Sequence, residues 1–340
     1  MILSRRQFAP PLVVGVDVGG TKIAAALVDA DGVPRYRVRN PTDISSPKAT
    51  LDVIAYSVDQ VIGEAGLTRA DIYAVGLGIP GLIDPARGIG IASVNLNWRN
   101  VPVRAELQER LGLPCFIEND VKAAALGEAR YGVGQNLDSL VFLIIGTGIA
   151  AAFVQNQMII RGAHGIAGEI GHATIEPGGQ LCKCGGRGCF EALASGPAIA
   201  ARAVAKIRAG GSSSLASLPD ITAEDVFEAA KCGDSLAIQT IHEVAGYVAF
   251  VVQFLAMAYD PRVIVLGGGV PLAGNLFMEH VQKALEKQAS ENWVFREVYS
   301  PQLVQVTRFG ADVALIGAAA QWELEGPRIT GPITSLKILG

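Results

Sequence analysis

At 340 residues the chain exceeds the size at which one hydrophobic core stops growing, so two domains are expected. Half of it is hydrophobic and 18% is charged, a globular balance that excludes an intrinsically disordered polymer. A net charge of −4 argues against nucleic acid as a partner, because holding phosphate backbones rests on an excess of Lys and Arg.

The opening residues, "MILSRRQFAPPLVV", carry two arginines but neither an apolar core of signal-peptide length nor a small-residue cleavage site, so no export signal is expected. Next, "LVVGVDVG" reads as a buried strand, "DVGGTK" as a tight turn and "GTKIAAALV" as the strand after it. The strand "IYAVGLGIP", a long loop over 81–103, the helix "RAELQERLG", the strand "CFIEN" and the helix "VKAAALGEARYG" follow. The second half begins with the strand "LVFLIIG" and the segment "GTGIAAAFV". Beyond a cysteine-rich stretch come the helices "EALASGPAIAARAVAKIRAG" and "ITAEDVFEAAKCGD", a long apolar helix over 235–259, the strand "RVIVLGGG", and the helices "NLFMEHVQKALEKQAS" and "DVALIGAAAQWEL". The apolar run 244–259 is short for a bilayer and contains Gln253, so it reads as a buried helix and no membrane partner is expected. Residues 327–340 fit no element. Strands alternating with helices mean a mostly parallel α/β architecture.

The segments 20–28 and 146–154 share seven of nine positions. Duplication predicts two similar α/β domains whose Gly-Thr turns face a common cleft; chance matching in Ala-rich sequence is the alternative. Three glycine turns follow apolar strands: Gly19, Gly20, Thr21 and Lys22; Gly146, Thr147 and Gly148; Gly267, Gly268 and Gly269. Open α/β sheets bind ligands at the carboxyl ends of their strands, and paired glycines let backbone N–H groups approach an anion. A nucleotide such as ATP would use several such turns together. Asp17, at the first strand's end, is placed to hold a hydrated Mg²⁺. None of the turns is a Walker loop or a dinucleotide fingerprint, and no kinase H-R-D triplet occurs.

In "FIENDVKAAALGE", Glu118, Asn119 and Asp120 run consecutively from a strand into a helix. One of them suffices as N-cap; an exposed Asp there could instead accept a proton from a substrate hydroxyl, as phosphoryl transfer to an alcohol requires. His172, Cys182, Cys184 and Cys189 lie at H-x9-C-x-C-x4-C, among glycines that let the chain wrap tightly. Four N/S ligands make a closed tetrahedral Zn²⁺ site, structural because no position remains for activated water. Buried or redox-active cysteines are the alternative, with His164 a weaker candidate for the fourth ligand. Cys115 and Cys232 read as small core residues, and His242 and His280 sit on helices without acidic or cysteine neighbours of note. Five cysteines, an odd number, fit no disulfide framework and point to the cytoplasm.

In this order, "DVGGTK", "GIPG", "END", "GTG", "AGEIGH", "CKCGGRGCFE" and "LGGG" resemble the ROK family of bacterial sugar kinases and regulators, from about residue 13 to 325. The resemblance implies the duplicated actin-like, hexokinase-like (ribonuclease H-like) α/β fold, two domains around a cleft. Their boundaries would be 1–120 plus 313–340 and 121–312. By position Asp120 matches the family's catalytic base. Asn119, Glu169, His172, Glu191, Asn95 and the backbone of Gly81 match its sugar ligands, and the glycine turns match its ATP loops. The implied reaction is ATP-dependent phosphorylation of a hexose. Glucose leads; N-acetylmannosamine, N-acetylglucosamine, mannose and fructose are the alternatives. A homodimer or homotetramer is expected. A sugar-sensing regulator is the remote alternative: its DNA-binding domain would precede the first strand, where only about eleven residues stand here. Where the family commonly has Ala-Asn after the base, this chain has Val121 and Lys122, and Lys122 is expected to point to solvent.

Overall fold

The computed structural model describes residues 11–325. Val13–Val18 (β1) and Lys22–Val28 (β2) form an antiparallel hairpin pairing Val13 with Val28 and Val18 with Ile23. Pro34–Pro41 (β3), Pro47–Glu64 (α1), Ala74–Ile79 (β4), Leu82–Asp84 (β5), Ile89–Ser93 (β6), Trp98–Val101 (β7), Val103–Leu111 (α2), Cys115–Asn119 (β8) and Asp120–Tyr131 (α3) follow. The second half runs Ser139–Ile145 (β9), Ile149–Gln155 (β10), Met158–Ile160 (β11), Phe190–Ala194 (α4), Gly196–Arg208 (α5), Ala223–Lys231 (α6) and Ser235–Tyr259 (α7). It continues through Ile264–Gly267 (β12), Gly269–Leu272 (α8), Asn275–Glu291 (α9), Trp293–Val298 (α10), Val304–Val306 (β13), Val313–Ala320 (α11) and Trp322–Glu325 (α12).

The duplication shows in the sheets. One has the order β3-β2-β1-β4-β8 and the other β11-β10-β9-β12-β13. In each, an antiparallel hairpin (β1–β2, β9–β10) feeds two parallel strands. Seven shared residues in the hairpins thus mark a repeat of whole topology.

Among the described residues two compact units result: 11–136 with 157–159 and 311–325, and 137–156 with 160–310. The expected boundary at 120/121 falls instead after α3. Small residues bind α3 to α11 almost backbone to backbone: a Cβ on Gly317 would lie 1.7 Å from the carbonyl oxygen of Ala123. The same helix lies on the sheet, where a Cβ on Gly76 would lie 1.8 Å from Ala318 O. Val14, Val16, Leu27, Ile54, Val58, Leu77 and Ile117 fill the first core. In the second, α7 spans the expected 235–259 and buries Ile241, Val244, Val248, Val252 and Leu255. Among the described residues α7 alone is long and apolar enough to cross a membrane, and half of its apolar window is buried in the protein.

Other expectations change. The loop 81–103 contains the antiparallel sheet β5-β6-β7, built from strands of three to five residues. Asn97, just before the last strand, and Asn100, within it, take positive φ, a conformation asparagine tolerates. The helix expected over 191–210 breaks at Ser195, whose hydroxyl caps α5 ahead of Gly196 and Pro197. Residues 327–340 lie outside those described.

Candidate active site and metal centre

In the first unit, the question of which residue caps α3 is settled by hydrogen bonds. Asn119 Oδ1 accepts from the N–H groups of Val121 and Lys122, both at 3.1 Å. Glu118 is buried in β8, its Oε1 accepting from the N–H of Asn119. Asp120 is therefore not needed as N-cap. Its Oδ1 accepts from Val121 N–H at 2.9 Å and from Asn119 Nδ2 at 3.0 Å, which fixes the carboxylate at the carboxyl end of β8. Asn119 Nδ2 also donates to Gly81 O at 3.1 Å, so the expected base Asp120 and the expected sugar ligands Asn119 and Gly81 form one chain of contacts. Gly81 has φ +103, and a Cβ there would lie 2.3 Å from Ala92 O, so only glycine fits.

The turn after β1 is closed by Gly19 N–H donating to Lys22 O and by Thr42 Oγ1 donating to Gly19 O. A Cβ on Gly20 would lie 3.0 Å from Asn95 O, so the expected sugar ligand Asn95 packs directly on this turn. Thr21 and Lys22 are exposed. Burial pushes the Asp17 carboxyl up to about 7; the Asp120 and Asp312 carboxylates raise it too, and the Lys22 ammonium opposes them. The negative charge that Asp120 and Asp312 place near Asp17 is what a hard divalent cation would offset.

This makes a pH prediction. An unfolded Asp17 ionises near its ordinary 3.8, whereas the folded one holds its proton to about 7. The unfolded state therefore binds fewer protons between these values, and stability falls as pH rises across them. Without Mg²⁺, Asp17→Asn should gain stability over the parent at pH 8 relative to pH 4, by a few kcal/mol at most. Urea denaturation at both pH values checks it; an equal difference at the two contradicts it.

In the second unit, Gly146, Thr147 and Gly269 line a pocket of about 440 Å³. Its other walls come from α5, α6 and their flanks: Gly196, Pro197, Ala200, Ile221, Thr222, Glu224 and Phe227. Sequence reasoning missed these, because nothing in the periodicity of α5 and α6 tells which glycine turn they meet. Gly148, Gly267 and Gly268 do not line it. Gly268 has φ +89 and its Cβ would lie 2.4 Å from Ile145 O, so backbone geometry alone demands that glycine.

Glu191, the second residue of α4, accepts from Ile149 N–H through Oε2 at 3.0 Å, directly under Gly148. Glu169 and His172 are exposed, on a short turn that also edges a largely apolar cavity of about 380 Å³ with Phe153, Ile166 and Tyr259. His172 Nδ1 lies 3.8 Å from Cys182 Sγ, and Cys184 Sγ 3.7 Å from Cys189 Sγ. The ligand atoms of His172, Cys182 and Cys184 all fall within 4.8 Å of one another. Bonds of about 2.3 Å to sulfur and 2.0–2.1 Å to nitrogen give tetrahedral edges of about 3.5–3.8 Å, so these residues fit zinc. The loop is pinned by Cys182 N–H donating to Gly186 O and Phe190 N–H donating to Ala173 O.

Two expectations are corrected. Lys122 is buried, not solvent-facing, because it lies on the α3 face covered by protein. Cys115 is buried as expected, but Cys232 is exposed at the C-terminal end of α6.

The ROK family matches residues 13–325. A glucokinase of Halalkalibacterium halodurans is 35% identical over 310 residues, covering 89% of this chain and 92% of that protein. A ROK family glucokinase from Streptomyces griseus, solved in complex with glucose and AMPPNP, superposes with a TM-score of 0.76 at 32% identity. That match covers 92% of this chain and 99% of the other. A ROK family transcriptional regulator superposes with a TM-score of 0.81 at 27% identity, over 91% of this chain and 77% of the regulator.

Proposed function

Because this chain belongs to the ROK family, we propose how its residues carry out ATP-dependent phosphorylation of glucose to glucose 6-phosphate. The protein is a sugar kinase of the glucokinase type with the two-domain actin-like fold, and its substrates are a hexose and ATP. The observation that supports the residue assignment is the cap: Asn119 Oδ1 accepts from the Val121 and Lys122 N–H groups, so α3 does not depend on Asp120 as its N-cap.

Asp120 takes the proton from the primary hydroxyl as that oxygen attacks the γ-phosphorus. The O–P bond forms, the bond from the γ-phosphorus to its bridging oxygen breaks, and ADP leaves. In the first unit Asn119, Asn95 and Gly81 O are assigned to sugar hydroxyls. A hydroxyl at Asn119 Nδ2 would replace Gly81 O or share its bond, since both amide hydrogens are engaged. In the second unit Glu169, His172 and Glu191 are assigned likewise: His172 turns Nδ1 to the cysteines, which leaves Nε2 for the sugar. Orientation of this kind can contribute about 7–11 kcal/mol of the barrier.

The 440 Å³ pocket takes the nucleoside, with Gly146, Thr147 and Gly269 toward the phosphates. The turn Gly19–Lys22 is assigned to phosphate as well, and Asp17 would hold Mg²⁺. When bound, Mg²⁺ supplies positive charge to the oxygens of the transferring phosphoryl group. His172, Cys182, Cys184 and Cys189 would hold a structural Zn²⁺ that supplies a crosslink to the loop. Reduced cysteines suit the cytoplasm, the negative net charge disfavours nucleic acid, and the exposed row Phe250, Phe254 and Met257 on α7 supports a homodimer or homotetramer.

The pocket assignment is tested at Gly269, where a Cβ would meet nothing within 4 Å. Gly269→Val should fold normally yet crowd the nucleotide. Overpacking of about 1–3 kcal/mol would raise KM for ATP by about 5- to 150-fold, with the sugar KM unchanged. An unchanged KM for ATP would remove this turn from the site. The fold shared with a regulator suggests a second reading, sugar binding without catalysis. A panel of glucose, mannose, fructose, N-acetylglucosamine and N-acetylmannosamine assayed for ADP release separates the readings. Glucose should give the highest kcat/KM, and release with none of them would favour the regulator.

A further inference from the structure

We propose that His242 and His280 form a second metal site, taking a borderline divalent transition ion through their two Nδ1 atoms. His242 stands on α7 and His280 on α9, helices from separate parts of the chain. Their Nδ1 atoms are 3.3 Å apart. Two nitrogens at about 2.0–2.1 Å from one ion, at a tetrahedral angle, are separated by about 3.3–3.4 Å, so the rings already stand at the chelating distance. The ring planes are inclined by 73° with centroids 5.1 Å apart, so the rings are not stacked and the two Nδ1 atoms are the approach between them.

His280 cannot easily serve in another orientation, because its Nε2 is buried and has no hydrogen-bond partner. With Nδ1 as its accessible nitrogen, the ring is oriented toward His242. Burial, His242 and Lys283 all hold His280 below the usual histidine range, with Glu279 opposing them. The ring is accordingly neutral near pH 7, the form in which imidazole ligates.

Among the described residues the cluster at His172 is the one place where three or more such ligand atoms gather, so an ion at His242 and His280 keeps water in its remaining positions. Two imidazoles and water suit Ni²⁺, Cu²⁺ or Zn²⁺ over Mg²⁺ or Ca²⁺, which prefer oxygen. The ion would tie α7 to α9 on the outside of the second unit. One turn before His280, Phe277 packs edge-on against Phe227, with centroids 6.1 Å apart. Phe227 lines the 440 Å³ pocket, so the tie braces a helix whose inner face supports that pocket.

The test uses the full chain with its zinc retained, titrated with Ni²⁺ by calorimetry while nitrogen-15 NMR follows the histidine rings. One equivalent of Ni²⁺ should bind in the parent and perturb His242 and His280 together. His242→Gln and His280→Gln should each weaken binding by more than the roughly 10–100-fold that loss of an outer hydrogen-bond partner of a ligand costs. Ni²⁺ should also raise the melting temperature of the parent and not that of either variant. His242 is exposed, so its variant keeps the test valid if His280→Gln folds poorly. Equal Ni²⁺ titrations in parent and His242→Gln, or Ni²⁺ signals confined to His172, would overturn the site and leave only a histidine–histidine hydrogen bond.

Discussion

Asp120→Asn should lower kcat by at least about 10²–10⁴-fold while hexose affinity stays close to that of the parent. The substitution is nearly isosteric. Its amide oxygen can still accept from Val121 N–H and Asn119 Nδ2, the two donors that hold Oδ1 now. The N-cap is untouched, because Asn119 supplies it. Loss of one negative charge in the first turn of α3 costs about 0.3–1 kcal/mol through the helix dipole, too little to unfold the unit. What is lost is a group able to take a proton, equivalent to about 2.7–5.5 kcal/mol of barrier. A variant with near-normal kcat would sink the assignment of Asp120 as base.

Removing the metal should act on one substrate and spare the other. Cys184→Ser should leave a folded protein that has lost zinc and hexose binding but still binds ATP. Structural zinc contributes on the order of 10–16 kcal/mol in small metal-folded peptides, and less here because the second unit has its own core. The pocket proposed for ATP is lined by the turns after β9 and β12 and by α5 and α6, none of which carries one of the four proposed zinc ligands. The two residues proposed to hold the sugar differ in exposure to the loss. Glu191 keeps an anchor at Ile149 N–H, whereas His172 is oriented by Cys182. His172 should therefore account for most of the affinity lost. Elemental analysis with separate sugar and ATP titrations checks this. Zinc-free parent protein, or normal hexose affinity in a zinc-free variant, would contradict it.

Features legible in the sequence were those compressed into short segments. The hairpins around Gly20 and Gly146, the consecutive Glu118-Asn119-Asp120 and the spacing of His172, Cys182, Cys184 and Cys189 each bring their partners together within at most 18 residues. β3 and α1 went unread, although Ser46 and Pro47 carry an N-cap signal that could have located the helix. β5, β6 and β7 are too short for alternation to register as strands. Which of three consecutive polar residues caps α3 depends on side-chain rotation, which no pattern encodes. The burial of Lys122 and the exposure of Cys232 depend on which neighbours cover them. Glu224 and Phe227 reach the glycine turns only through packing of helices far apart in sequence, so they left no local mark.

Phosphorus NMR of the purified protein with glucose, ATP and Mg²⁺ tests the central claim most directly. Each ATP consumed should yield one ADP and one phosphate ester on the 6-hydroxyl of glucose, with no turnover when glucose is left out. Unchanged ATP, or ATP consumed with release of free inorganic phosphate instead of a sugar ester, would contradict a glucokinase.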